Sequence, residues 1–186
     1  MCAWIRPTPN QIDVLVLQHP TEQHHAKGTL RLLEMSLSHC QRLVGEQFDA
    51  LTLGAWLSSG TALLYPRPAS ATTSAPVAEP ALPCRRLVVL DGTWRQSRKL
   101  LHLNPCLQML PRCVLDRPPP GQYRIRKSQR NLQRSTLEAT CLALGDLEAR
   151  PAHYAPLLLA FEGWMAALES RQNWGSGPTR PSGSAA

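Results

Sequence analysis

The residue types most able to do chemistry lie together in residues 87–96, with the sequence LVVLDGTWRQ. The four leading apolar residues predict a buried strand, and the residues from Trp94 onward have the pattern of a helix. Thr93 and Gln96 have the spacing of a capping box, which predicts that this helix starts at Thr93. Asp91 is therefore expected at the carboxyl end of a strand, where open α/β sheets bind ligands. A carboxylate beside a glycine turn and an indole could bind a flat, cationic or hydrogen-bonding ligand.

The same stretch also has a purely structural interpretation, because turn and capping signals are common in proteins. On that interpretation Thr93 is only a helix cap, Asp91 only a turn residue and Trp94 only part of the core. The spacing of these residues does not by itself separate the structural interpretation from the functional one.

Alternating strands and helices are predicted to position this stretch. Strands are predicted at residues 12–17, within 41–57, and at 62–66, 87–90 and 113–116. Helices are predicted from about residue 29, from Thr93, from Ser135 and over residues 154–174. Strands that alternate with helices favour an α/β fold with a mainly parallel sheet flanked by helices. The sequence lacks the G-x-G-x-x-G, Walker A and G-x-S-x-G motifs, so the usual nucleotide-binding and hydrolase interpretations lose their best support.

The chain is expected to form one domain over residues 1–174. Its 186 residues are 43% hydrophobic, which is enough to bury a sizeable core. Residues 67–83 are almost entirely Pro, Ala, Ser and Thr, and they predict a surface loop within that domain rather than a boundary. Residues 175–186 are rich in Gly, Ser and Pro and predict a disordered tail.

A formal charge of +7 favours a polyanionic partner, with nucleic acid ahead of a membrane surface, although a soluble basic protein is the simplest alternative. The densest basic patch lies in residues 121–134 and includes Tyr123. Arginine and lysine can neutralise the phosphates of a nucleic acid, and a tyrosine can stack on a base. The structural alternative is that the patch is only a solvated charged loop. The cations of the patch are Arg124, Arg126, Lys127, Arg130 and Arg134.

Cysteines and histidines indicate a reduced protein without a metal site. None of the six cysteines forms a C-x-x-C pair and no export signal is recognisable, so reduced thiols in a cytoplasmic protein are expected. No apolar run approaches the roughly 20 residues that span a bilayer. His19, His24 and His25 lie in one predicted loop, but a closed metal site needs four converging ligands.

Three segments resemble the conserved blocks of the DTW-domain proteins. Asp91–Trp94 resembles the D-x-T-W signature of that family. Tyr123–Lys127, followed by Ser135–Ala139, resembles its second block. Its N-terminal block resembles three short segments of this chain, which are Leu17–Pro20, His25–Lys27 and Arg31–Leu32. The resemblance covers roughly residues 2–170, and three blocks in this order are more specific than the short signature alone.

The resemblance implies a fold, a reaction and two substrates. The fold implied is SPOUT-like with a trefoil knot, a topology that is too rare to be proposed from sequence patterns. The reaction implied is transfer of the 3-amino-3-carboxypropyl group of S-adenosylmethionine (SAM) to N3 of a uridine in tRNA. The by-product would be 5′-methylthioadenosine. The protein would act in the cytoplasm as a monomer or a homodimer, with tRNA and SAM as its partners.

The resemblance also suggests roles for individual residues. Asp91 would either accept the N3 proton or act electrostatically on the sulfonium, with Thr93 and Trp94 beside it as catalytic residues. Trp94 would bound the aminocarboxypropyl arm so that its reactive carbon faces the uridine. The remaining SAM-binding candidates are Leu64, Tyr65, Pro66, Leu115, Ser135 and Thr136. The candidates for tRNA phosphates are Lys27, Arg124, Arg126, Lys127 and Arg130.

Two departures from the family pattern accompany the resemblance. Family members commonly carry four N-terminal cysteines that suit zinc, but here only Cys2 resembles the last of them. Either the start of the chain is truncated or the zinc site is gone, and because a single cysteine cannot form a structural zinc site, no metal site is expected in this sequence. In family members the residue directly before the segment that corresponds to Ser135–Ala139 is usually apolar, and here it is Arg134. The alternative functions are a SPOUT-type SAM-dependent RNA methyltransferase and a basic RNA-binding module without catalytic activity.

Overall fold

The computed structural model of the chain describes residues 2–23, 29–66, 83–115 and 134–174. The strands are β1 (Asp13–Gln18), β2 (Cys40–Val44), β3 (Thr61–Leu64), β4 (Arg86–Asp91) and β5 (Arg112–Cys113). The helices are α1 (Thr29–Ser36), α2 (Ala50–Leu53), α3 (Trp94–Leu103), α4 (Pro105–Gln108), α5 (Thr136–Leu147) and α6 (Pro151–Trp174). Short 3₁₀ helices lie at Cys2–Trp4, Pro20–Glu22 and Gly54–Leu57.

The described strands form one five-stranded sheet in the order β2-β1-β4-β3-β5, and every pairing is parallel. The predicted α/β fold with a parallel sheet is therefore confirmed. Gln18 at the end of β1 is in register with Asp91 at the end of β4, and Leu64 of β3 is in register with Cys113 of β5. The carboxyl ends of these four strands consequently meet at one edge of the sheet.

Both faces of β1, β3 and β4 are buried under helices, which explains why these strands are rich in consecutive apolar residues, whereas the edge strand β2 is more polar and partly exposed. Val14, Val16 and Val89 point toward α1, α5 and α6. Leu17 and Leu90 point to the opposite face, where they pack with buried leucines of α2, α3 and α4. The sheet is thus the middle layer of three, and its side chains alternate between the two apolar layers.

Several sequence predictions need correction. Within residues 41–57 the sequence predicts a strand and no helix, but Ala50–Leu53 is helical because the Asp49 side chain caps it, accepting a hydrogen bond from the Thr52 amide at 2.7 Å. Strand β5 is shorter than predicted and ends at Cys113, because β3, its partner among the described strands, ends at Leu64, two residues before Pro66.

Helix α6 also differs from its predicted bounds. It begins at Pro151 rather than near Tyr154, in agreement with the preference of proline for the first helical position. Apart from Pro83, the predicted loop at 67–83 lies outside the described residues, as does the predicted tail at 175–186. The trefoil knot and the single-domain organisation stay predictions. No helix in the described ranges is long and apolar enough to cross a membrane.

Candidate functional site

A cavity of about 470 Å³ opens at the carboxyl edge of the sheet, between the ends of β3, β4 and β5 and the starts of α3 and α5. Its volume lies within the range of about 300–1,000 Å³ that is typical of small-molecule sites. The residues that line it are Leu64, Tyr65, Pro66, Val89, Leu90, Gly92, Thr93, Trp94, Ser97, Cys113, Val114, Leu115, Arg134, Thr136 and Ala139.

Helix α3 starts at the rim of the cavity through the predicted capping box. The Thr93 hydroxyl accepts a hydrogen bond from the Gln96 amide, and the Thr93 amide donates to Gln96 Oε1 at 2.5 Å. Gln96 Nε2 also donates to Thr21 Oγ1 at 2.6 Å, which ties the helix to the loop after β1. A Cβ at Gly92 would lie 3.0 Å from Gln96 Cβ, so the capping residue can approach this closely only because residue 92 is glycine.

The Asp91 carboxylate is held by hydrogen bonds at both of its oxygens. Gln18 Nε2 donates to Oδ2 at 2.8 Å, and the hydroxyl of Thr136 donates to Oδ1. On the far side of the amide, Arg42 Nη1 donates to Gln18 Oε1 at 3.2 Å. Arg42 is in turn paired with Glu34, with 3.1 Å between Nε and Oε1. These four residues therefore form one connected chain that ends on Asp91.

The charges in this chain determine how its middle member is oriented. An arginine can only donate and an ionised carboxylate can only accept, so the Gln18 amide must turn its oxygen to Arg42 and its nitrogen to Asp91. Burial raises the pKa of Glu34, the positive charges of Arg42 and Arg31 lower it, and Asp91 raises it. Asp91 is consequently a fixed acceptor whose two donors come from a strand and a helix on either side of it.

Aromatic side chains form part of the cavity wall. The rings of Tyr65 and Trp94 meet edge to face, with centroids 6.1 Å apart and an interplanar angle of 71°. The Arg112 guanidinium lies over the Tyr65 ring at 5.5 Å from its centroid and supports it from behind. Trp94 is 47% exposed, so the interpretation of this residue as part of the core is wrong.

Two titratable groups of the wall, Cys113 and Tyr65, are neutral near pH 7. Burial raises the pKa of the Cys113 thiol to about 11, with smaller contributions from Cys84 and Asp146. Burial also raises the pKa of Tyr65, against the opposing positive charges of Arg98 and Arg112. A thiolate rather than a thiol is the nucleophile in cysteine chemistry, so Cys113 is a wall residue and not a reactive group.

The predicted small-molecule residues are brought together by the fold. Leu64, Tyr65, Pro66, Thr93, Trp94, Leu115 and Thr136 all line the cavity. Asp91 lies directly behind this lining through its contact with Thr136. The Ser135 hydroxyl serves α5 as its N-cap and pairs with Glu138 in the predicted capping box. The predicted tRNA contacts Lys27, Arg124, Arg126, Lys127 and Arg130 lie outside the described residues.

Sequence reasoning missed the chain of residues behind Asp91. Gln18 appeared only as part of a block that resembles the family, and Arg42 and Glu34 were not considered. The available signal was the parallel pairing itself, because adjacent parallel strands that end together place their last residues side by side. It also missed that Arg134 lines the cavity, where it brings a positive charge to an otherwise largely apolar wall.

The histidines considered for metal binding have a structural role where they are described. His19 is buried, its Nε2 lies 2.8 Å from Glu46 Oε1, and its Nδ1 lies 2.9 Å from Thr21 Oγ1. Both ring nitrogens are thus engaged. His24 and His25 lie outside the described residues, and within the described ranges no three His, Cys, Asp or Glu side chains cluster as metal ligands would.

Replacing Ser135 with alanine should lower the free energy of unfolding by about 1 kcal/mol, since an N-cap hydroxyl is worth roughly 0.5–2 kcal/mol. Its Oγ accepts a hydrogen bond from the Glu138 amide at 3.2 Å and donates to Glu138 Oε2 at 2.8 Å. Urea denaturation would measure the loss. Ser170→Ala, at an exposed position within α6, is the matched control and should be nearly neutral. Equal losses in both variants would contradict a capping role.

Comparison with known proteins gives one family and several relatives. The family model of the DTW domain matches residues 1–168. A mouse (Mus musculus) protein named tRNA-uridine aminocarboxypropyltransferase 2 is 27% identical over 156 residues, which cover 80% of this chain and 52% of the relative. The protein of the same name from Macaca fascicularis gives the same values. The Drosophila melanogaster protein of that name is 32% identical over 149 residues, covering 75% of this chain and 57% of the relative.

The chain therefore spans about half the length of the curated relatives that it matches. No solved structure matches it significantly.

Proposed function

The chain belongs to the DTW-domain family, and on that premise we propose that it transfers the 3-amino-3-carboxypropyl group of SAM to N3 of a uridine in tRNA. The similarity to proteins named tRNA-uridine aminocarboxypropyltransferase 2 supports the reaction and the substrate. The observation that supports it most directly is the cavity, because Gly92, Thr93 and Trp94 of the D-x-T-W signature line it beside Thr136. Asp91, the first residue of the signature, lies behind this lining and accepts a hydrogen bond from Thr136.

The residues around the cavity suit SAM as the donor. Leu64, Tyr65 and Leu115 offer apolar surface to adenine and ribose, and Trp94 can bound the amino-acid arm. Asp91, behind Thr136, supplies the negative charge that a sulfonium and an ammonium group favour. When bound, SAM supplies an electrophilic carbon attached to sulfur. Attack by uridine N3 there forms an N–C bond, the N3 proton leaves to water, and the electrons of the broken C–S bond remain on 5′-methylthioadenosine.

Of the two roles considered for Asp91, its contacts favour the electrostatic one. Both carboxylate oxygens already accept hydrogen bonds, from Gln18 and from Thr136. To act as a general base, Asp91 would need an oxygen within hydrogen-bond reach of the N3 proton, and one of these donors would have to move aside. A fixed anion needs no such rearrangement, and it would bind and orient the positively charged donor before the reaction. We therefore assign Asp91 to the positive charge of the donor.

The proposal includes the finer features that the family resemblance implies. These are a SPOUT-like trefoil knot, a cytoplasmic site of action, and a monomer or homodimer as the active form. The all-parallel sheet and the position of the cavity at its carboxyl edge are compatible with such a fold. A crystal structure of the full chain would test the knot, since a chain that does not pass through a loop would exclude it.

The small-molecule product of the reaction tests the proposed function. The full chain would be incubated with unmodified tRNA and SAM, and the adenosine products separated by chromatography. We expect 5′-methylthioadenosine, released only when tRNA is present. S-Adenosylhomocysteine would instead identify methyl transfer, and neither product would leave an RNA-binding module as the function.

A further inference from the structure

The exposed face of α3 is basic and aromatic. Leu100, Leu101 and Ser97 turn inward, whereas Trp94, Arg95, Arg98 and His102 are exposed. Trp94, Arg98 and His102 follow one another at intervals of four residues, so they lie in a row along the helix, with Arg95 beside the row. We call these four exposed residues the basic face of α3.

The two arginines of the basic face have no carboxylate to pair with. Helix α3 contains no Asp or Glu, and neither Arg95 nor Arg98 forms an ion pair or hydrogen bond with any other part of the chain that the structure describes. Lys99, at the border of this face, differs because its Nζ lies 2.5 Å from Glu46 Oε2. The free positive charge is therefore concentrated on the side that starts at Trp94.

The position of these charges opposes the normal preference of a helix. The N-terminus of a helix carries a partial positive charge, so acidic residues are favoured in the first turn and basic residues in the last. Helix α3 has no acidic residue in its first turn and instead carries Arg95 there, with Arg98 one turn further on. The arrangement adds repulsion to the isolated protein, and an anion at this end of the helix would remove it.

The basic face continues directly into the mouth of the cavity. Trp94 both lines the cavity and begins the face, and Arg98 is close enough to Tyr65 for its charge to oppose the effect of burial on the pKa of that hydroxyl. Arg134, which is exposed and lines the cavity at the start of α5, supplies a positive charge from the other helix. An anionic ligand larger than the cavity would meet cations on both sides of the opening.

We propose that the basic face of α3, together with Arg134, is a docking surface for tRNA that brings the target uridine to the cavity. The identification of the docked RNA as tRNA rests on the proposed function. The arginines would neutralise backbone phosphates on either side of the opening, and the half-exposed indole of Trp94 would stack on a base. A nucleic acid fits better than an acidic protein surface, because flat bases and regularly spaced phosphates match an aromatic residue set among cations.

The test compares two double variants of equal charge in the full chain. Arg95→Gln/Arg98→Gln removes the two free cations of the basic face. Arg85→Gln/Arg150→Gln removes two exposed cations elsewhere, and Arg85 precedes β4 at the end of the sheet opposite the cavity, about 20 Å away for a six-residue strand. Filter binding of unmodified tRNA would be measured over a series of salt concentrations, without SAM.

We expect the Arg95/Arg98 variant to bind tRNA at least about tenfold more weakly at low salt, with the slope of log affinity against log salt reduced by roughly 1 per arginine. The Arg85/Arg150 variant should keep nearly the slope of the unmodified protein. Arg95→Lys/Arg98→Lys, which keeps both charges, should restore most of the affinity. Thermal unfolding should be unchanged in the two Arg95/Arg98 variants, since these side chains are exposed and Gln and Lys are good helix formers. It should be nearly unchanged in the Arg85/Arg150 variant, which loses only an exposed contact between Arg150 and His153.

Equal effects of the two glutamine variants, or no effect of Arg95→Gln/Arg98→Gln on the salt slope, would overturn the docking surface. Absence of tRNA binding by the unmodified chain would overturn it as well. Failure of the proposed function has a different signature, because binding is measured without turnover: tRNA would still bind through α3 while no aminocarboxypropyl product forms.

Discussion

Replacing Asp91 with asparagine is expected to lower kcat/KM for SAM in aminocarboxypropyl transfer by about 10²–10³-fold and to leave tRNA affinity unchanged. Asparagine has the same shape but no charge. Its amide nitrogen would also face either Gln18 Nε2 or the Thr136 hydroxyl, both of which now donate to the carboxylate. The site would therefore lose both the anion and the hydrogen bonds that fix its position.

The control for this substitution is Asp13→Asn. Asp13 is the first residue of β1, is exposed, and lies at the opposite end of the sheet from the cavity. It should retain full activity and the unfolding temperature of the unmodified protein, whereas Asp91→Asn should remain folded with an unfolding temperature a few degrees lower. Single-turnover assays with saturating tRNA would measure the rates. A loss of less than about threefold in Asp91→Asn would contradict an electrostatic role, since removal of such a group usually costs far more.

Replacing Gln18 with glutamate is expected to lower activity by about 10²-fold near pH 8.5 and by progressively less as the pH falls toward about 6. Gln18 is a positioning residue that acts through Asp91, with 2.8 Å between the two side chains. Two carboxylates at that distance share one proton, so one of them keeps its proton to a higher pH than usual. Below that pH the shared proton restores the bridge, and above it the two anions repel each other.

Charged groups near residues 18 and 91 change the pH at which the shared proton is lost in the Gln18→Glu variant. Arg42 faces the Gln18 side chain and would favour an ionised glutamate there, whereas the nearby Glu34 opposes a further negative charge. Thr136 donates from the other side and carries no charge. These opposing effects change the pH of the transition but not its direction, so the activity of the variant relative to the unmodified protein rises as the pH falls. The pH profile of the variant, divided by that of the unmodified protein, gives this directly.

Gln18→Leu separates positioning from packing. Leucine fills a similar volume but neither donates to Asp91 nor accepts from Arg42, so its loss of kcat should be independent of pH. The KM for tRNA should be unchanged in both variants. A Gln18→Glu variant whose activity relative to the unmodified protein did not change with pH would contradict the role of Gln18 as a donor to Asp91.

The parts of the fold that could be predicted are those with local signals. The apolar run before Asp91 predicted β4, and the capping boxes at Thr93 and Ser135 predicted the starts of α3 and α5. Each of these signals is complete within four to ten residues and depends on no distant contact. The position of Asp91 at the carboxyl end of a central strand followed from them.

The parts that could not be predicted depend on contacts distant in sequence. The end of β5 is set by where β3 ends, and nothing within residues 113–116 carries that information. The hydrogen bonds between Gln18, Asp91 and Thr136 join two strands and a helix that are far apart in the chain. Their formation requires the strand order β1-β4-β3, which periodicity alone does not determine.

The measurement that tests the central proposal most directly is mass spectrometry of nucleosides from unmodified tRNA that has been incubated with the full chain and SAM. The proposal predicts a uridine that is heavier by one aminocarboxypropyl group, absent when Asp91→Asn replaces the unmodified protein. A methylated nucleoside, or a modified uridine that forms equally well with the Asp91→Asn variant, would contradict it.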